Sequence, residues 1–251
     1  MTEVCLVIGA GACIGGHVAK RFARGGQHAV LVRRSDQAGL DRIIGDIEAK
    51  GGQASGVLLN AAEDGSLEAL VERVEADVGP ITTAVYNLGA QIGSRPLEAT
   101  TLKQFELGWR LGCFGLFRLA KAVVPKMAAR GSGSLLVTSA TAALRGNSGQ
   151  ASHAAAMAGR RMVCQSVAAE YAGQGVHVAH IVVDSAVDAP DTLGKMLGAE
   201  RFAQLRETHE LMDPAAIAET YWHLAQQPPS VWTFELDLRA HSDLAWWNHA
   251  P

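Results

Sequence analysis

The chain has 251 residues, a length that fits one doubly wound domain better than two small ones. Hydrophobic residues make up 48% and charged residues 19%, which suits a large, well-buried core. The net charge is −3 and no Lys/Arg block is long enough for a nucleic-acid or membrane surface, so partners of both kinds are excluded.

Met1-Thr2-Glu3 leads straight into an apolar run without the basic, hydrophobic and cleavage regions of a signal peptide, and a cytoplasmic setting is expected. Short apolar runs then alternate with helical segments, the pattern of βαβ units that carry a parallel sheet. Strands are predicted at Val4–Ile8, 29–32, 54–58, 83–86, 134–138, Val176–Val183 and 232–238. The clearest helices fall at Ile14–Arg24, 67–77, 102–129, 152–171 and 214–226. Cys5-Leu6-Val7-Ile8 is continuously apolar, as a strand buried on both faces should be. The stretch 184–199 is the least regular and long enough to be a mobile loop over a site. No apolar run approaches the ~20 residues of a membrane helix. Four cysteines, at 5, 13, 113 and 164, lack Cys-x-x-Cys spacing and read as reduced core or loop thiols. One domain over 1–251 is expected.

The first strand ends in Gly9-Ala10-Gly11-Ala12-Cys13-Ile14-Gly15-Gly16 and enters a helix at once. Glycines are needed there because the backbone turns tightly and approaches a pyrophosphate, whose charge sits on the helix N-terminus. On these residues the chain resembles the short-chain dehydrogenase/reductases. That family opens with Thr-Gly-x-x-x-Gly-x-Gly, which lands on Ile8, Gly9, Cys13 and Gly15, so a cysteine replaces the middle glycine. Tyr86-Asn87-Leu88-Gly89 matches the family's Asn-Asn-Ala-Gly and keeps Asn87 and Gly89. The resemblance implies a Rossmann-like parallel sheet of about seven strands in order 3-2-1-4-5-6-7. It places Gly9, Gly11, Cys13, Ile14, Gly15, Arg33, Arg34, Asn60, Asn87, Gly89, Met157 and Val187 at a nicotinamide dinucleotide. Arg33-Arg34 ends the second strand, where relatives preferring NAD carry an acid; a basic pair suits the 2′-phosphate of NADP. Asn60 falls where the family sets an Asp against adenine.

The family's catalytic Tyr-x-x-x-Lys is absent. Two registers compete. Ala151-Ser152-His153-Ala154-Ala155 imitates the family's Ala-Ser-Lys-Ala-Ala, which would put Gly149 at the Tyr and His153 at the Lys. The other register puts His153 at the Tyr and Met157 at the Lys. A Glu seventeen residues after the Tyr and a Gly five further on are typical; counting from His153 finds Glu170 and Gly175, whereas counting from Gly149 finds Ser166 and Tyr171. The second register is adopted. The catalytic Ser then becomes Ala140, between Ser139 and Thr141, and the structural Asn of the long fourth helix becomes Gly112. Met157 carries no charge and only a weak acceptor, while His153 can still move a proton near neutral pH.

Asp184 and Asp188 are candidates to orient His153, with solvated loop acids as the plainer reading. Arg145, Arg160 and Arg161 read as surface or interface charges. His177 and His180, three apart on one strand, face opposite sides and make no metal pair; no metal motif is found.

Three functions follow. The first is an NADP(H)-linked oxidoreductase on a small carbonyl or alcohol, with His153 as acid/base and Ser139 or Thr141 holding the substrate; NAD is the weaker cofactor. The second is a non-redox lyase, isomerase or hydrolase that uses His153 and needs no cofactor, which Cys13 in the phosphate loop favours. The third is a non-catalytic partner subunit. The substrate pocket is expected in 184–211. A homodimer or homotetramer is expected through helices 102–129 and 152–171, the second carrying the small residues Ala154, Ala155, Ala156, Ala158 and Gly159.

Overall fold

Strand β1 (Val4–Ile8) is buried at every position, and its side chains alternate between two apolar clusters on opposite faces of one sheet. The computed structural model describes residues 2–89 and 94–248. The order of elements is β1, α1 (Ile14–Arg24), β2 (His28–Arg33), α2 (Gln37–Glu48), β3 (Gln53–Leu58), α3 (Ser66–Asp77) and β4 (Ile81–Tyr86). Then come α4 (Leu102–Trp109), a π-turn (Arg110–Phe114), α5 (Gly115–Ala129), β5 (Gly133–Ala140), α6 (Ala151–Tyr171) and β6 (Val176–Val183). The chain closes with a second π-turn (Pro190–Gly194), α7 (Lys195–Leu197), α8 (Ala199–Glu207), α9 (Pro214–Ala225) and β7 (Glu235–Leu238).

The seven strands form one parallel sheet in the order β3-β2-β1-β4-β5-β6-β7, as the resemblance implies. Val4, Leu6 and Ile8 face α3, α5 and α6 through Leu70, Leu116, Leu119 and Cys164. Cys5 and Val7 face α1, α2 and α9 through Val18, Phe22, Leu40 and Tyr221. Full burial of side chains of this size contributes about 1.5–3 kcal/mol each, so the two clusters dominate the stability of the fold. The strand order reverses beside β1, which is paired to both β2 and β4, and a ligand crevice opens where such strands end.

Local chemistry sets the helix starts. Asp36 adopts φ 73° and accepts from Gly39 N to cap α2, Thr101 and Gln104 form a capping box on α4, and Asp213 with Pro214 opens α9. The helix expected at 102–129 runs through those residues, with one π-turn at 110–114 between α4 and α5. The expected loop at 184–199 contains the second π-turn and α7 rather than irregular chain, and α8 begins where it ends. The last strand begins at Glu235 rather than 232, because Pro228 and Pro229 start a 3₁₀ turn and Trp232 donates from its indole to the Gln227 carbonyl.

Candidate active site

The glycine turn after β1 is held by steric need. Gly9 has φ +94°, and a Cβ there would stand 2.9 Å from the Asn87 carbonyl. A Cβ on Gly15 would overlap the Gly9 carbonyl. At Gly11 a Cβ would meet nothing within 4 Å, so this glycine faces the open crevice. Asn87 ties the turn to the sheet: its Nδ2 donates to Gly9 O at 2.9 Å and its Oδ1 accepts from Thr138 Oγ1 at 2.7 Å. Cys13 is the N-cap of α1 and makes no side-chain cap, and Ile14 turns into the core. Burial pushes the Cys13 thiol up, and Asp188 adds to this against the Ile14 amide, so the sulfur is a neutral thiol.

Two cavities flank this turn. One of about 410 Å³ joins Gly9, Gly11, Arg33, Arg34, Asn60 and Asn87, so six of the residues expected at the cofactor line one space. The other, of about 680 Å³, joins Gly11, Cys13, His17 and Arg33 to Asp188, Lys195 and Arg206 from the far side of the crevice. Arg33 is paired with Asp36 at 2.9 Å, so part of its charge is already answered within the chain. Asn60 donates to Glu63 Oε1 at 3.1 Å and accepts from Ala62 N, which braces the same wall. Gly89 is exposed at the end of its segment. The open glycine face, the uncapped α1 N-terminus and the arginine-lined cavity together fit a dinucleotide phosphate.

The other half of the crevice is different in kind. Met157 is 2% exposed and packs with Ala140, Ala142, Ala143 and Ala156 in an apolar cluster. The positions where the resemblance puts Lys and Ser have therefore become one small hydrophobic patch. Met157 lines neither cavity, and Val187 is bridged to Met212 beside the second one. His153 stands in the first turn of α6, half-buried, with Nδ1 buried and without a partner among the described residues, and it lines neither cavity. Burial first, and the positive charge of Arg160 second, hold the His153 ring below the ordinary histidine range. The Ser139 hydroxyl is also buried, without a partner among the described residues. Thr141 Oγ1 donates to Asp184 Oδ1 at 2.7 Å and keeps its lone pairs free to accept.

Two assignments are corrected. Arg160 is not a surface charge: it is 1% exposed. Its guanidinium donates to Gly112 O at 2.7 Å, to Leu88 O at 2.6 Å and to Thr138 O, and it lies over the Tyr86 ring at 5.1 Å. It thus ties the π-turn, the end of β4 and β5 together beneath the crevice. Burial lowers its proton affinity, opposed by Tyr86 and the buried thiols, and no carboxylate pairs with it among the described residues. Arg161 forks onto Glu235 at 2.6 and 2.7 Å, and Arg145 donates to Trp246 O at 2.9 Å. Asp184 is not a solvated loop acid either. It is 2% exposed and accepts from Thr141 Oγ1, from Arg239 Nε at 3.1 Å and from Trp246 N at 3.0 Å, which fastens the C-terminal segment to the crevice wall. Asp188 pairs with Arg206 instead.

His177 and His180 do lie on opposite faces, and no group of three metal-ligating side chains occurs among the described residues. All four cysteines are free thiols. No described helix is long and apolar enough to cross a membrane.

Comparison with known proteins agrees with this architecture. A family profile described as short chain dehydrogenase matches residues 3–190. The chain is 29% identical over 239 residues to a 3-oxoacyl-[acyl-carrier-protein] reductase of Synechocystis sp., covering 94% of this chain and 95% of that protein. It is 28% identical over 176 residues to a 2-dehydro-3-deoxy-D-gluconate 5-dehydrogenase of Formosa agariphila, covering 70% of this chain and 66% of that protein. Among solved structures, a short-chain dehydrogenase from Rhodopseudomonas palustris superposes with TM-score 0.80 at 33% identity, covering 95% of this chain and 99% of that one.

Proposed function

The chain belongs to the short-chain dehydrogenase family, and from that premise we propose that it is an NADP(H)-linked oxidoreductase of a small alcohol or carbonyl, with His153 as its acid/base. The observation that carries the reading is the cavity in which the glycine turn meets Arg33, Arg34 and Asn60. Arg33 and Arg34 supply two cations to that cavity, which supports NADP over NAD because arginine binds phosphate through paired, charge-assisted hydrogen bonds. When bound, the nicotinamide would supply or accept the hydride.

The rest of the chemistry falls to this chain's side chains. Gly9, Gly11 and the α1 N-terminus would hold the phosphates. His153, neutral at pH 7 because of its burial, is suited to take a proton from an alcohol through Nε2. The Ser139 hydroxyl, without a partner among the described residues, is suited to donate to the substrate oxygen, and Thr141, whose proton is given to Asp184, would hold the substrate only by releasing that bond. Alcohol oxidation should therefore hold its rate as pH falls to the ordinary histidine pKa of about 6.5, whereas carbonyl reduction, which needs the imidazolium, should rise as pH falls. The setting proposed is cytoplasmic.

The quaternary proposal is a homodimer or homotetramer through α5 and α6. Between these helices lies an apolar groove of about 450 Å³ lined by Phe117, Val124, Met162 and Val167. Phe117 and Met162 are each 48% exposed, and a second copy would cover them.

The test is a fluorescence titration with NADPH and NADH, followed by hydride transfer to a panel of ketones with the tighter cofactor. NADPH is expected to bind more tightly, and His153→Ala to lower turnover by roughly 10²–10⁴-fold. Binding of neither nucleotide would overturn the cofactor reading, and undiminished turnover of His153→Ala would remove His153 from the mechanism.

A further inference from the structure

Two arginines are buried among the described residues, and their surroundings differ. Arg118 is 5% exposed and forks onto Glu68 at 2.6 and 2.9 Å, so its charge is answered where it stands. Arg160 is 1% exposed, donates to the carbonyls of Gly112, Leu88 and Thr138, and has no carboxylate partner among the described residues. Neutral donors also satisfy carbonyls, without the cost of burying an unpaired charge.

That charge lies under the crevice floor. Leu88 follows the end of β4 and Thr138 lies near the end of β5, so two of the three acceptors belong to strand ends that open into the crevice. His153 stands seven residues before Arg160 on α6. Seven residues make almost two full turns, so both side chains project from one face, about 10 Å apart along the axis. Side chains on a helix lean toward its N-terminus, which carries the guanidinium toward His153 rather than away from it. Met157 sits on the same face between them and is 2% exposed, so an apolar side chain rather than water fills the gap. Such packing screens a charge far less than water does.

The other titratable groups that face Arg160 are neutral at pH 7. Burial raises Tyr86 on β4, Cys113 in the π-turn, Cys164 on α6 and Tyr221 on α9, and pushes His180 on β6 down to about 4. Charged groups on the elements around α6 are paired or exposed: Glu235 with Arg161, Asp184 with Arg239, Glu106 with Arg110, and Lys103 in solvent. Arg145, before α6, donates to the Trp246 carbonyl.

We propose that Arg160 is a positioning residue of the reaction, a fixed positive charge that acts across Met157 to hold His153 as a free base. This role rests on His153 as the acid/base proposed above. A cation opposes formation of the imidazolium, which keeps the ring able to accept a proton near neutral pH and makes its protonated form the stronger acid for carbonyl reduction.

The experiment follows the His153 ring resonance by NMR as the whole protein is titrated with acid, with His153→Gln to assign the signal and urea unfolding measured on every variant. Arg160→Gln removes the charge and keeps some donors, whereas Arg160→Lys keeps the charge and loses the fork. Glutamine should raise the His153 midpoint by about one pH unit, as expected for a unit charge about 10 Å away at an effective dielectric constant of about 20. Lysine should leave it close to the parent, although both variants lose stability. The acid limb of alcohol oxidation should move with the midpoint. Cys164→Asp, four residues on along the same face, answers the charge while the guanidinium stays in place, and should raise the midpoint in the same direction. Equal shifts in the lysine and glutamine variants, or midpoints unmoved by both glutamine and Cys164→Asp, would overturn the proposal and leave Arg160 a structural clamp. The titration needs neither nucleotide nor substrate, so its failure is distinct from failure of the oxidoreductase reading.

Discussion

The two halves of the crevice meet at β4, and they have been shaped by different demands. On the β1–β2–β3 side Gly9 answers to the Asn87 carbonyl and Gly15 to the Gly9 carbonyl, while Gly11 faces open space. On the β5–β6 side the positions where the resemblance puts Lys and Ser lie in an alanine–methionine patch, and the buried Arg160 bonds to backbone carbonyls of three segments. Binding geometry is a property of backbone and close approach, so it tolerates few substitutions. Proton transfer depends on side chains, which can be exchanged as long as the strands beneath them stay in place. The difference separates what this chain must hold from what it does with it.

The largest test of that separation is Arg160→Met. The guanidinium bonds three carbonyls from three segments, and removing it leaves those buried acceptors unpaired, at about 1–3 kcal/mol each before the gain from losing a buried charge. A net loss of about 3–5 kcal/mol is expected in urea unfolding. Arg160→Lys should recover less than half, because an ammonium cannot span three acceptors in a planar fork. A methionine variant as stable as the parent would mean that the β5–β6 half needs no such clamp, and the contrast between the halves would lose its physical basis.

The next test acts on the binding half. Replacing Arg33 and Arg34 together by alanine should weaken NADPH by about 1.5–3 kcal/mol, roughly 10- to 100-fold, and NADH much less. The Arg33–Asp36 pair sharpens the expectation, because the double variant leaves Asp36 unneutralised near the cavity, which penalises the more anionic nucleotide further. Equal losses for both nucleotides would show that the arginines do not read the extra phosphate.

A smaller effect concerns acid. Burial pushes His180, on β6, down to about 4 despite its 2.9 Å contact with Glu235. Below the ordinary histidine pKa of about 6.5 the unfolded chain takes up that proton before the folded chain does. The contribution is thus complete above pH ~6.5 and is lost as pH falls toward the folded value. Glu235, held low first by Arg161, adds a loss of the same sign at still lower pH. Unfolding free energy should drop by roughly 1–3 kcal/mol between pH 7.5 and pH 4.5. His180→Leu should flatten the upper part of that slope; an unchanged slope would place the titrating group elsewhere.

What the sequence disclosed follows the same division. β1, β6 and α1 have the predicted limits, and the glycine turn leads to the cavity, because period and close approach are written locally. Arg160 was misread as a surface charge since its type is seldom buried. A signal was present: Ser152, Ala156, Arg160 and Cys164 recur at every fourth residue and are all buried, so the arginine lies on the inner stripe of α6. Asp184 offered no such signal, because its partners Arg239 and Trp246 both arrive from the segment that follows β7. The π-turn is likewise invisible in the pattern, being fixed by tertiary bonds from Tyr86 Oη to Leu111 O and from Arg160 to Gly112 O.

The smallest expected effect tests whether the cysteine in the glycine turn belongs to the binding half or disturbs it. Cys13 makes no cap to α1, its sulfur is a neutral thiol, and it lines the larger cavity next to Gly11. Cys13→Gly removes a side chain that contributes no capping bond, and glycine is tolerated at an N-cap, so stability should change by only about 0.5 kcal/mol. If the thiol merely narrows the phosphate site, the variant should bind NADPH a few-fold more tightly, since more room is opened at the α1 N-terminus without loss of a donor. Weaker binding would show that the sulfur makes a contact of its own with the bound molecule. That outcome would move Cys13 from the retained half to the rebuilt one, because a side chain rather than the backbone would then be reading the ligand.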